Sequence, residues 1–330
     1  MRKGKRMTTK LTLAQALEII KAPCKTMILC HKNPDPDTLG SAFGLAHILE
    51  HFGSTVKISC CDKANPKFSF ITKGADMALP EENFDRIIAV DVASPQQLGD
   101  FCHLADRVDL IIDHHAMNTR FAPYYEDFGA SCAEIIFSFY KALGISLPKH
   151  FFECIYAGMS GDTGGFRYSN VTARSMEYGA EIISMGIDHA EINRIIFDSK
   201  TIGEIKAQRL TFDKMELLCD GALAVIMITN QMKAENSIGD EDISDIVNNI
   251  RSIEGVLVAI SIKQGTKDPT KYAISSRANC DVDVSAVCAI MGGGGHKRAS
   301  GATVTADTPG EAWHACVPLF EKAVNEYKER

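Results

Sequence analysis

The sequence predicts an α/β protein of two domains, in which a parallel sheet covered by helices precedes a smaller α/β domain. In the first half of the chain, short apolar runs rich in strand-forming residues alternate with helical patterns. The alternation starts again after a polar helical stretch, and 330 residues suffice for two separate cores. We therefore predict a first domain over residues 1–198, a helical linker over 199–210 and a second domain over 211–330.

The first domain contains four predicted strands separated by helices. The strand patterns are TMILC (26–30), TVKISC (55–60), DRIIAVD (85–91) and VDLIID (108–113). The helical patterns cover residues 38–52, 131–144, 173–186 and 189–199, together with a helix in 148–166 that breaks into a Gly-rich loop. Ligands of such a parallel sheet gather at the carboxyl ends of its strands.

The second domain repeats the alternation after a long helical pattern over residues 200–218. Its predicted strands are 222–229, 255–263 and 271–278, and its predicted helices are 241–250, 281–290 and a C-terminal amphipathic segment. The Gly-rich stretch GGGGHKRASG (292–301) lies between the last two helices.

Composition excludes several classes of protein. The formal net charge of −7 argues against a protein that coats long nucleic acids, because such binding needs an extended basic surface. No apolar run is long enough to span a bilayer, and the stretch after the basic N-terminal residues is not a signal-peptide core. Eleven cysteines without a CxxC pair favour reduced thiols, so we expect a cytoplasmic protein with no membrane partner.

Acidic and histidine side chains follow these predicted strands or lie in a Gly-rich loop. The residues are His31, Asp35, Asp37, Asp91, Asp113, His114, His115 and Asp162. Each motif alone has a simpler interpretation: a DxD turn often caps a helix, a buried histidine is often a satisfied core group, and GDTGG can be a turn. Together they need cations, and two divalent ions about 3.5–4 Å apart would use them all.

In the same order along the chain, HKNPDPD, Asp91, DHH and GDTGG resemble the four motifs of the DHH phosphoesterase superfamily. Its members include RecJ-type exonucleases, family II inorganic pyrophosphatases and NrnA-type oligoribonuclease/phosphoadenosine-phosphate phosphatases. The second half resembles the DHH-associated domain, whose signature is a glycine run followed by histidine. Length, domain order and the GDTGGFRYSN stretch fit the NrnA-like branch. The resemblance implies an active site in the cleft between the two domains.

The resemblance also implies roles for individual residues. One ion would be held by His31, Asp35 and Asp91. The second set would be Asp37, Asp91, His114 and Asp162, with Asp91 bridging the two ions. Asp113 would orient a histidine ligand, and His115 would contact the phosphate or stabilise its developing charge. Mn²⁺ is the expected ion.

The second domain and one loop residue supply candidate phosphate contacts. The residues are Arg167, Arg277, Gly293, Gly294, Gly295, His296, Lys297 and Arg298. The glycine run lets backbone N–H groups approach an anion closely, although a tight turn with solvated basic residues is the simpler interpretation. Arg167 could clamp a phosphate or pair with a surface acid. The family's SxRS pattern reads SSRAN here, so the role of the flanking serine is left open.

These predictions converge on a phosphoesterase that attacks phosphorus with a metal-bridging hydroxide. We expect hydrolysis of short RNA of about two to five nucleotides, including pApA, to mononucleotides, because long strands need a basic channel. Dephosphorylation of pAp to AMP also fits. The alternatives are a cyclic- or linear-dinucleotide phosphodiesterase in signalling, an inorganic pyrophosphatase, RecJ-like action on DNA, and a nucleotide sensor without catalysis. The sequence leaves a homodimer open.

Overall fold

A parallel sheet and a mixed sheet form the centres of two separate units, as the sequence predicts. The computed structural model describes residues 8–79, 83–115 and 118–329. The first unit is Met1–Ser199 and the second is Lys200–Arg330. The α/β class is confirmed, because each unit combines a β-sheet with packed helices.

The first unit has five parallel strands in the order β2-β1-β3-β4-β5. The strands are β1 Lys25–Leu29, β2 Thr55–Ser59, β3 Arg86–Val90, β4 Leu110–Asp113 and β5 Tyr124–Glu126. The four predicted strands are present, and β5 was not predicted. β5 is an edge strand of three residues, all half-buried. So short a segment shows no clear alternation of apolar and polar positions from which a strand could be predicted.

Helices pack on this sheet with their apolar faces inward. They are α1 Leu13–Lys21, α2 Pro36–His51, α3 Ser69–Thr72, α4 Cys132–Leu143, α5 Lys149–Asp162, α6 Ala173–Ser184 and α7 His189–Asn193. The helix predicted over 189–199 is shorter than expected, because α7 changes into a π-helical turn at Arg194.

Glycines bring α2 and α5 unusually close together. A Cβ atom at Gly40 would lie 2.3 Å from the carbonyl oxygen of Cys154, so a side chain there cannot be accommodated. At Gly158, a Cβ atom would lie 2.5 Å from Cβ of Ala133 and 3.0 Å from Oδ1 of Asp37. The N-terminal end of α2 and the C-terminal half of α5 can therefore meet only because both positions lack a side chain.

The second unit contains a six-stranded sheet in the order β10-β11-β9-β8-β7-β6, in which only β7 and β8 are parallel. The strands are β6 Glu216–Leu218, β7 Leu223–Ile228, β8 Val258–Gln264, β9 Lys271–Ala278, β10 Gly294–His296 and β11 Ala299–Thr305. The helices are α8 Ile202–Lys214, α9 Asn230–Asn236, α10 Ile246–Arg251, α11 Val284–Ile290 and α12 Pro309–Lys328.

Two details of this unit differ from the sequence prediction. The helix predicted over 200–218 ends at Lys214, and the residues after Met215 form β6. Its start is set by a capping box, in which Thr201 Oγ1 accepts from the Glu204 amide and the Glu204 carboxylate accepts from the Thr201 amide. The stretch 292–301 contains β10 and the start of β11, which pair as a hairpin, whereas the simpler interpretation of the sequence was a tight turn.

Within the described ranges, no helix is both long enough and apolar enough to cross a lipid bilayer. All eleven cysteines lie in those ranges, and each is a free thiol.

Candidate active site

Three overlapping sets of acids and histidines lie at one edge of the first sheet. The ligand atoms within each set all lie within 4.8 Å of one another. The sets are His31, Asp35 and Asp91; Asp37, His114 and Asp162; and Asp91, His114 and His115. The structure therefore brings together the six predicted ligands and His115, although they come from segments far apart in the sequence.

The histidine rings are oriented by hydrogen bonds from the nitrogen that faces away from the cluster. His31 Nδ1 lies 2.7 Å from the carbonyl oxygen of Lys32, and His114 Nδ1 lies 3.4 Å from that of Gly129. Because a carbonyl oxygen can only accept, each Nδ1 carries the proton. Nε2 of each ring then faces the acids: His31 Nε2 is 3.4 Å from Asp91, and His114 Nε2 is 3.5 Å from the same carboxylate. This arrangement is typical of histidines that bind metal ions through Nε2.

Asp91 is the residue that the histidines share. It follows β3 and has φ of +57°, a left-handed conformation that Asp tolerates better than most residues. Its amide donates to the carbonyl oxygen of Ile112, which holds it beside β4. The residue is 3% exposed, and Oδ1 has no hydrogen-bond partner among the described residues. Strained backbone and an unsatisfied buried oxygen are both characteristic of functional positions.

Asp35 and Asp37 lie at helix N-termini. Asp35 caps α2, because its Oδ1 accepts from the amides of Asp37 and Thr38 at 2.9 and 3.0 Å. Asp37 accepts from the amides of Cys132 and Ala133 at the start of α4, at 2.7 and 2.9 Å. Asp35 and Asp37 therefore accept hydrogen bonds at helix N-termini and also belong to the cluster. The two roles are compatible, because each carboxylate has a further oxygen or lone pair beyond those that accept from the amides.

Asp162 differs from its predicted setting. We expected it within a Gly-rich loop, but it is the last residue of α5, and the turn begins at Thr163. Its carboxylate is 3.4 Å from His114 Nε2. The close packing of α5 on α2 brings this helix end to the sheet edge, so the ligand set is not built from strand ends alone.

Asp113 and His115 form a separate hydrogen-bonded pair beside the cluster. His115 Nδ1 is 2.8 Å from Asp113 Oδ1 and therefore donates to it. The other oxygen of Asp113 accepts from the side chain of Asn118 at 2.5 Å. We predicted that Asp113 orients a histidine ligand; in the structure its histidine partner is His115, and His114 is oriented by Gly129.

Sequence reasoning missed the residues that hold these groups in place. Asn118 follows the DHH motif by a few residues, and its spacing from that motif was the available signal. Glu134, fully buried in α4, accepts from Arg174 Nε at 2.6 Å and from Ser175 Oγ at 2.7 Å. It also accepts from the amide of Ala130, so it fixes the turn that supplies the carbonyl oxygen of Gly129. No local pattern links these distant positions.

Crowding shifts the pKa values of the cluster in both directions: burial raises the pKa of Asp91, but hydrogen bonds from His114 and His31 outweigh it and lower that pKa, whereas the pKa values of other members rise. Burial and the Asp91 charge raise the pKa of Asp37 to about 7. Burial and Asp37 likewise raise the pKa of Asp162. Burial lowers the pKa of His114, but the surrounding carboxylates outweigh it, so the pKa lies well above the ordinary histidine value. The same balance raises the pKa of His31. The cluster therefore holds cationic charge, as protons or as another cation.

The donor set fits divalent metal ions. Carboxylates and imidazoles without thiolates suit Mn²⁺, Fe²⁺ or Co²⁺, and each of two sets, His31–Asp35–Asp91 and Asp37–His114–Asp162, supplies three ligand atoms. Oδ1 of Asp91, the buried oxygen without a hydrogen-bond partner among the described residues, lies 3.5 Å from His114 Nε2 and from His115 Nδ1, whereas Oδ2 lies 3.4 Å from His31 Nε2. An ion bound beside His114 would satisfy this oxygen and take the place of the bound protons.

Comparison with known proteins agrees with this chemistry. The description "DHH family, N-terminal domain" matches residues 25–159, and "DHHA1 domain" matches residues 222–328. The Streptococcus mutans protein named "Probable bifunctional oligoribonuclease and PAP phosphatase NrnA" is 30% identical over 86% of this chain and 90% of its own length. The chain belongs to the DHH family of phosphoesterases. It is an enzyme, and DHH phosphoesterases depend on metal ions.

Two other similar proteins also match this chain over most of its length. A bifunctional oligoribonuclease and PAP phosphatase of Thermus thermophilus is 27% identical over 88% of this chain and 87% of its own length. The crystal structure of an exopolyphosphatase-related protein from Bacteroides fragilis has a TM-score of 0.85 at 23% identity and covers 96% of both chains. At that identity the structural likeness shows the fold of this DHH phosphoesterase and nothing more specific.

Arg167 has partners within the first unit of this phosphoesterase. Its Nε donates to the carbonyl oxygen of Gly164 at 2.5 Å, and its guanidinium lies 5.5 Å from the centre of the Phe197 ring. Neither partner is an acid, so the expected alternative of a surface ion pair does not describe it.

The predicted phosphate contacts in the DHHA1 region lie along two neighbouring strands and the hairpin. Arg277 is on β9 and faces Ala299 of β11, while His296 faces the same Ala299 from β10. Gly293 precedes β10, and Gly294 and Gly295 form its first two residues. The β-pairing thus brings Arg277 and His296 to one face of the sheet.

Lys297 and Arg298 have an acidic partner in the same hairpin region. Lys297 Nζ is 3.6 Å from Asp281 Oδ1, and Arg298 Nη2 is 3.0 Å from the same oxygen. All three side chains are exposed, so these ion pairs are weak and exchange readily with solvent or ligand.

Proposed function

We propose that the protein hydrolyses short oligoribonucleotides of about two to five nucleotides, including pApA, to mononucleotides, because its acidic composition supplies no long basic channel. We also propose that it converts pAp to AMP. The observation that carries the proposal is the pair of histidine–carboxylate sets joined by Asp91. The names of the Streptococcus and Thermus relatives support this substrate class.

In this proposal, His31, Asp35 and Asp91 hold one divalent ion. Asp37, Asp91, His114 and Asp162 hold the second, and Mn²⁺ is the proposed ion for both. Two such ions supply a water of lowered pKa and neutralise charge on the phosphate oxygens. The amides of Cys132 and Ala133 fix Asp37, and the carbonyl of Gly129 fixes the His114 ring, so the ligands are preorganised.

His115 is proposed to act directly on the substrate phosphate. Nδ1 of His115 donates to Asp113, and we propose that Nε2 contacts a phosphate oxygen. Burial lowers the pKa of His115, but the hydrogen bond to the Asp113 carboxylate raises it, and the net shift is upwards. The raised pKa favours the imidazolium form, which stabilises developing negative charge. Asn118 keeps Asp113 in place through its second oxygen.

The remaining substrate contacts are proposed to come from basic residues and the glycine run. Arg277 and His296 share one sheet face, and Gly293, Gly294 and Gly295 allow close approach of an anion to the backbone. Lys297 and Arg298 add charge that their exposed pairing with Asp281 leaves available. For Arg167, the Nη groups are the proposed contact, since Nε is used by Gly164. We also propose a cytoplasmic location, which the odd cysteine count without a CxxC pair supports.

A hydrolysis panel with Mn²⁺ tests the function. The substrates are pApA, 5′-phosphorylated RNA of two to five nucleotides, a long RNA, pAp, cyclic di-AMP and pyrophosphate, with products separated by chromatography. We expect rapid conversion of the short RNAs to mononucleotides and little cleavage of the long RNA. Selective hydrolysis of cyclic di-AMP or pyrophosphate would overturn the substrate assignment while leaving the metal centre intact. Inactivity on all six with metal bound would overturn the proposed catalytic role.

A further inference from the structure

The acids of the cluster are accessible to solvent mainly on one side. The side chains of Asp35 and Asp162 are 48% and 32% exposed, whereas that of Asp91 is 4% exposed. A substrate therefore approaches the ligand atoms from the side on which Asp35 and Asp162 lie. A Cβ atom at Gly161 would lie 2.8 Å from Cβ of Pro36, so the turn that carries Asp35 and the end of α5 border this side together.

The chain leaves α5 in a left-handed turn that is built around Thr163. Gly164, Gly165 and Phe166 have φ of +59°, +70° and +61°, and this conformation is strained for a residue as bulky as phenylalanine. Thr163 holds the turn, because its Oγ1 accepts from the Phe166 amide and its carbonyl oxygen accepts from the Tyr168 amide, both at 3.0 Å. Strained backbone that is held in this way is characteristic of functional positions, and here it fixes the place of Tyr168.

One face of the Tyr168 ring packs on the backbone of Gly164. A Cβ atom at Gly164 would lie 2.3, 2.4 and 2.7 Å from Cζ, Cε1 and Cε2 of Tyr168. Because these three ring atoms are almost equally near, that position lies over the face of the ring and not beyond its edge. Tyr168 is nevertheless 43% exposed, so its exposed area belongs to the opposite face and the edges of the ring. The absence of a side chain at position 164 thus lets an aromatic ring lie flat close to Asp162.

Asn170 joins this turn to two members of the second ligand set. Its Nδ2 donates to the carbonyl oxygen of Asp162 at 3.2 Å and to that of Ala130 at 3.0 Å. The neighbouring carbonyl oxygen, that of Gly129, accepts from Nδ1 of His114. The aromatic ring on this turn is therefore held in place relative to both ligands, as a preorganised substrate contact requires.

We propose that Tyr168 stacks on the nucleobase of the nucleotide whose phosphate lies at the cluster, and that this contact accepts purines and pyrimidines alike. Every base has a π-face, so stacking on an aromatic ring contributes to binding with little dependence on sequence. The face of a phenol ring has no donor or acceptor group that could read the edge of a base. Such a contact suits an enzyme that degrades short RNA of any sequence. The substrate part of this inference rests on the proposed hydrolysis of short RNA; the base-binding contact itself does not.

Binding of mononucleotides to the full-length, Mn²⁺-loaded protein tests the contact without turnover. Calorimetry compares adenosine 5′-monophosphate, uridine 5′-monophosphate and ribose 5-phosphate, which lacks a base, for the wild type, Tyr168→Leu, Tyr168→Phe and Phe212→Leu. Phe212 is the matched control, since it is an aromatic residue of nearly equal exposure on α8. We expect Tyr168→Leu to weaken both nucleotides about tenfold and ribose 5-phosphate not at all, because only stacking is lost. Tyr168→Phe and Phe212→Leu should retain wild-type affinity.

A tryptophan in place of Tyr168 gives a spectroscopic signal from the contact itself. Tyr168→Trp should retain the affinity for both nucleotides, and each nucleotide should quench the added fluorescence, whereas ribose 5-phosphate should not. The wild type provides the baseline, because its single tryptophan, Trp313, lies on α12 of the second unit. Equal fluorescence with and without nucleotide, relative to that baseline, would overturn the contact.

Kinetics with pApA and pUpU test the link to hydrolysis. Tyr168→Leu should raise KM about tenfold for both and leave kcat nearly unchanged, since stacking is equal in the bound substrate and the transition state. Wild-type nucleotide affinity in a folded Tyr168→Leu protein would mean that the ring only covers the end of α5, and would overturn the inference even if short RNA is hydrolysed. If short RNA is not hydrolysed but the base-dependent loss of affinity is found, the proposed function fails and the stacking contact stands. Thermal unfolding of each variant confirms that it is folded.

Discussion

The two units of this phosphoesterase concentrate opposite charges in different ways. In the first, carboxylates and histidines lie so close together that the pKa values of Asp37, His31 and His114 rise. In the second, Lys263 and Arg277 share a sheet face, and the pKa of Lys263 falls. The first arrangement calls for cations, and the second is itself cationic. In the proposed function, the groups that cleave the phosphoester lie on the first sheet, and most of the groups that recognise the substrate phosphate lie on the second.

The strongest test of the cation-binding side is Asp91→Asn. Asparagine tolerates the left-handed backbone of Asp91, so the fold should persist. We expect kcat to fall about a thousand-fold or more, because several kcal/mol of metal-dependent charge stabilisation are lost. The measurements are steady-state hydrolysis of pApA and the metal content of the purified protein.

Asp213→Asn is the matched control, since Asp213 is exposed on α8 and pairs with the exposed Arg209. It should retain wild-type activity. If Asp91→Asn kept more than a few per cent of wild-type turnover, Asp91 would not be the shared ligand. The proposed difference between a cation-binding first unit and an anion-binding second unit would then be unsupported.

A smaller loss is expected from Asn118→Ala, which separates orientation from metal binding. Without Asn118, one oxygen of Asp113 loses its donor, and the His115 ring loses part of its support. We expect kcat to fall about ten- to a hundred-fold with KM and metal content unchanged, as for other residues that support a site indirectly.

Metal analysis decides between this role and a structural one. If Asn118→Ala loses metal in proportion to its activity, Asn118 supports the cluster as a whole and not His115 in particular.

The counterpart in the second unit is His296→Ala. His296 belongs to the sheet face of Arg277, so its loss should weaken substrate binding and leave the reacting groups untouched. We expect KM for pApA to rise about tenfold with a nearly constant kcat, which corresponds to about 1.4 kcal/mol of binding.

His314→Ala, an exposed position on α12 of the same unit, should leave both constants unchanged. A fall in kcat for His296→Ala with unchanged KM would place His296 in the chemical step and blur the division between the units.

The smallest effect concerns a histidine pair that has no role in the cluster. His47 Nε2 lies 3.0 Å from His150 Nδ1, and His150 Nε2 donates to the carbonyl oxygen of Phe70. Burial, and next the neighbouring His150, lower the pKa of His47 to about 4, opposite to the shift of the site histidines. The unfolded chain therefore binds more protons than the folded one between about pH 6.5 and 4.

The stability contributed by neutral His47 is complete above about pH 6.5 and is lost as the pH falls towards 4. Urea unfolding at pH 7 and pH 5 should show that the wild type loses about 2 kcal/mol more than His47→Gln over this interval. Equal losses in the two proteins would mean that His47 is not held neutral. The difference between His47 and the histidines of the cluster would then be supported by their positions and contacts, and not by their pKa values.

The sequence predicted the parts of the molecule that local patterns encode. The strands that end before His31 and Asp91 are apolar and β-branched, and the acids follow them directly, so their meeting at one sheet edge could be predicted. Asp162 was placed in a loop because its neighbouring glycines mimic one, whereas the packing of α5 extends the helix to that residue. Its presence in the second ligand set depends on Gly158, which no periodicity reveals.

Contacts between distant segments could not be predicted from one sequence. The network of Glu134, Arg174 and Asp127 joins residues of three segments, and each would be taken for an ordinary surface charge. The same holds for Lys263, because strand register, and not spacing along the chain, places it on the face of Arg277. Register follows from pairing between whole strands, which a local pattern does not contain.

The order of the ligands along the chain has a consequence for biogenesis. His31, Asp35 and Asp91 have all been synthesised once the residue after β3 is made, whereas the set containing Asp162 waits for the last residue of α5. Since the chain is synthesised from its N-terminus, the residues of the first set leave the ribosome earlier than those of the second. An ion captured there would tie the start of α2 to the end of β3 while the rest of the polypeptide is still being made.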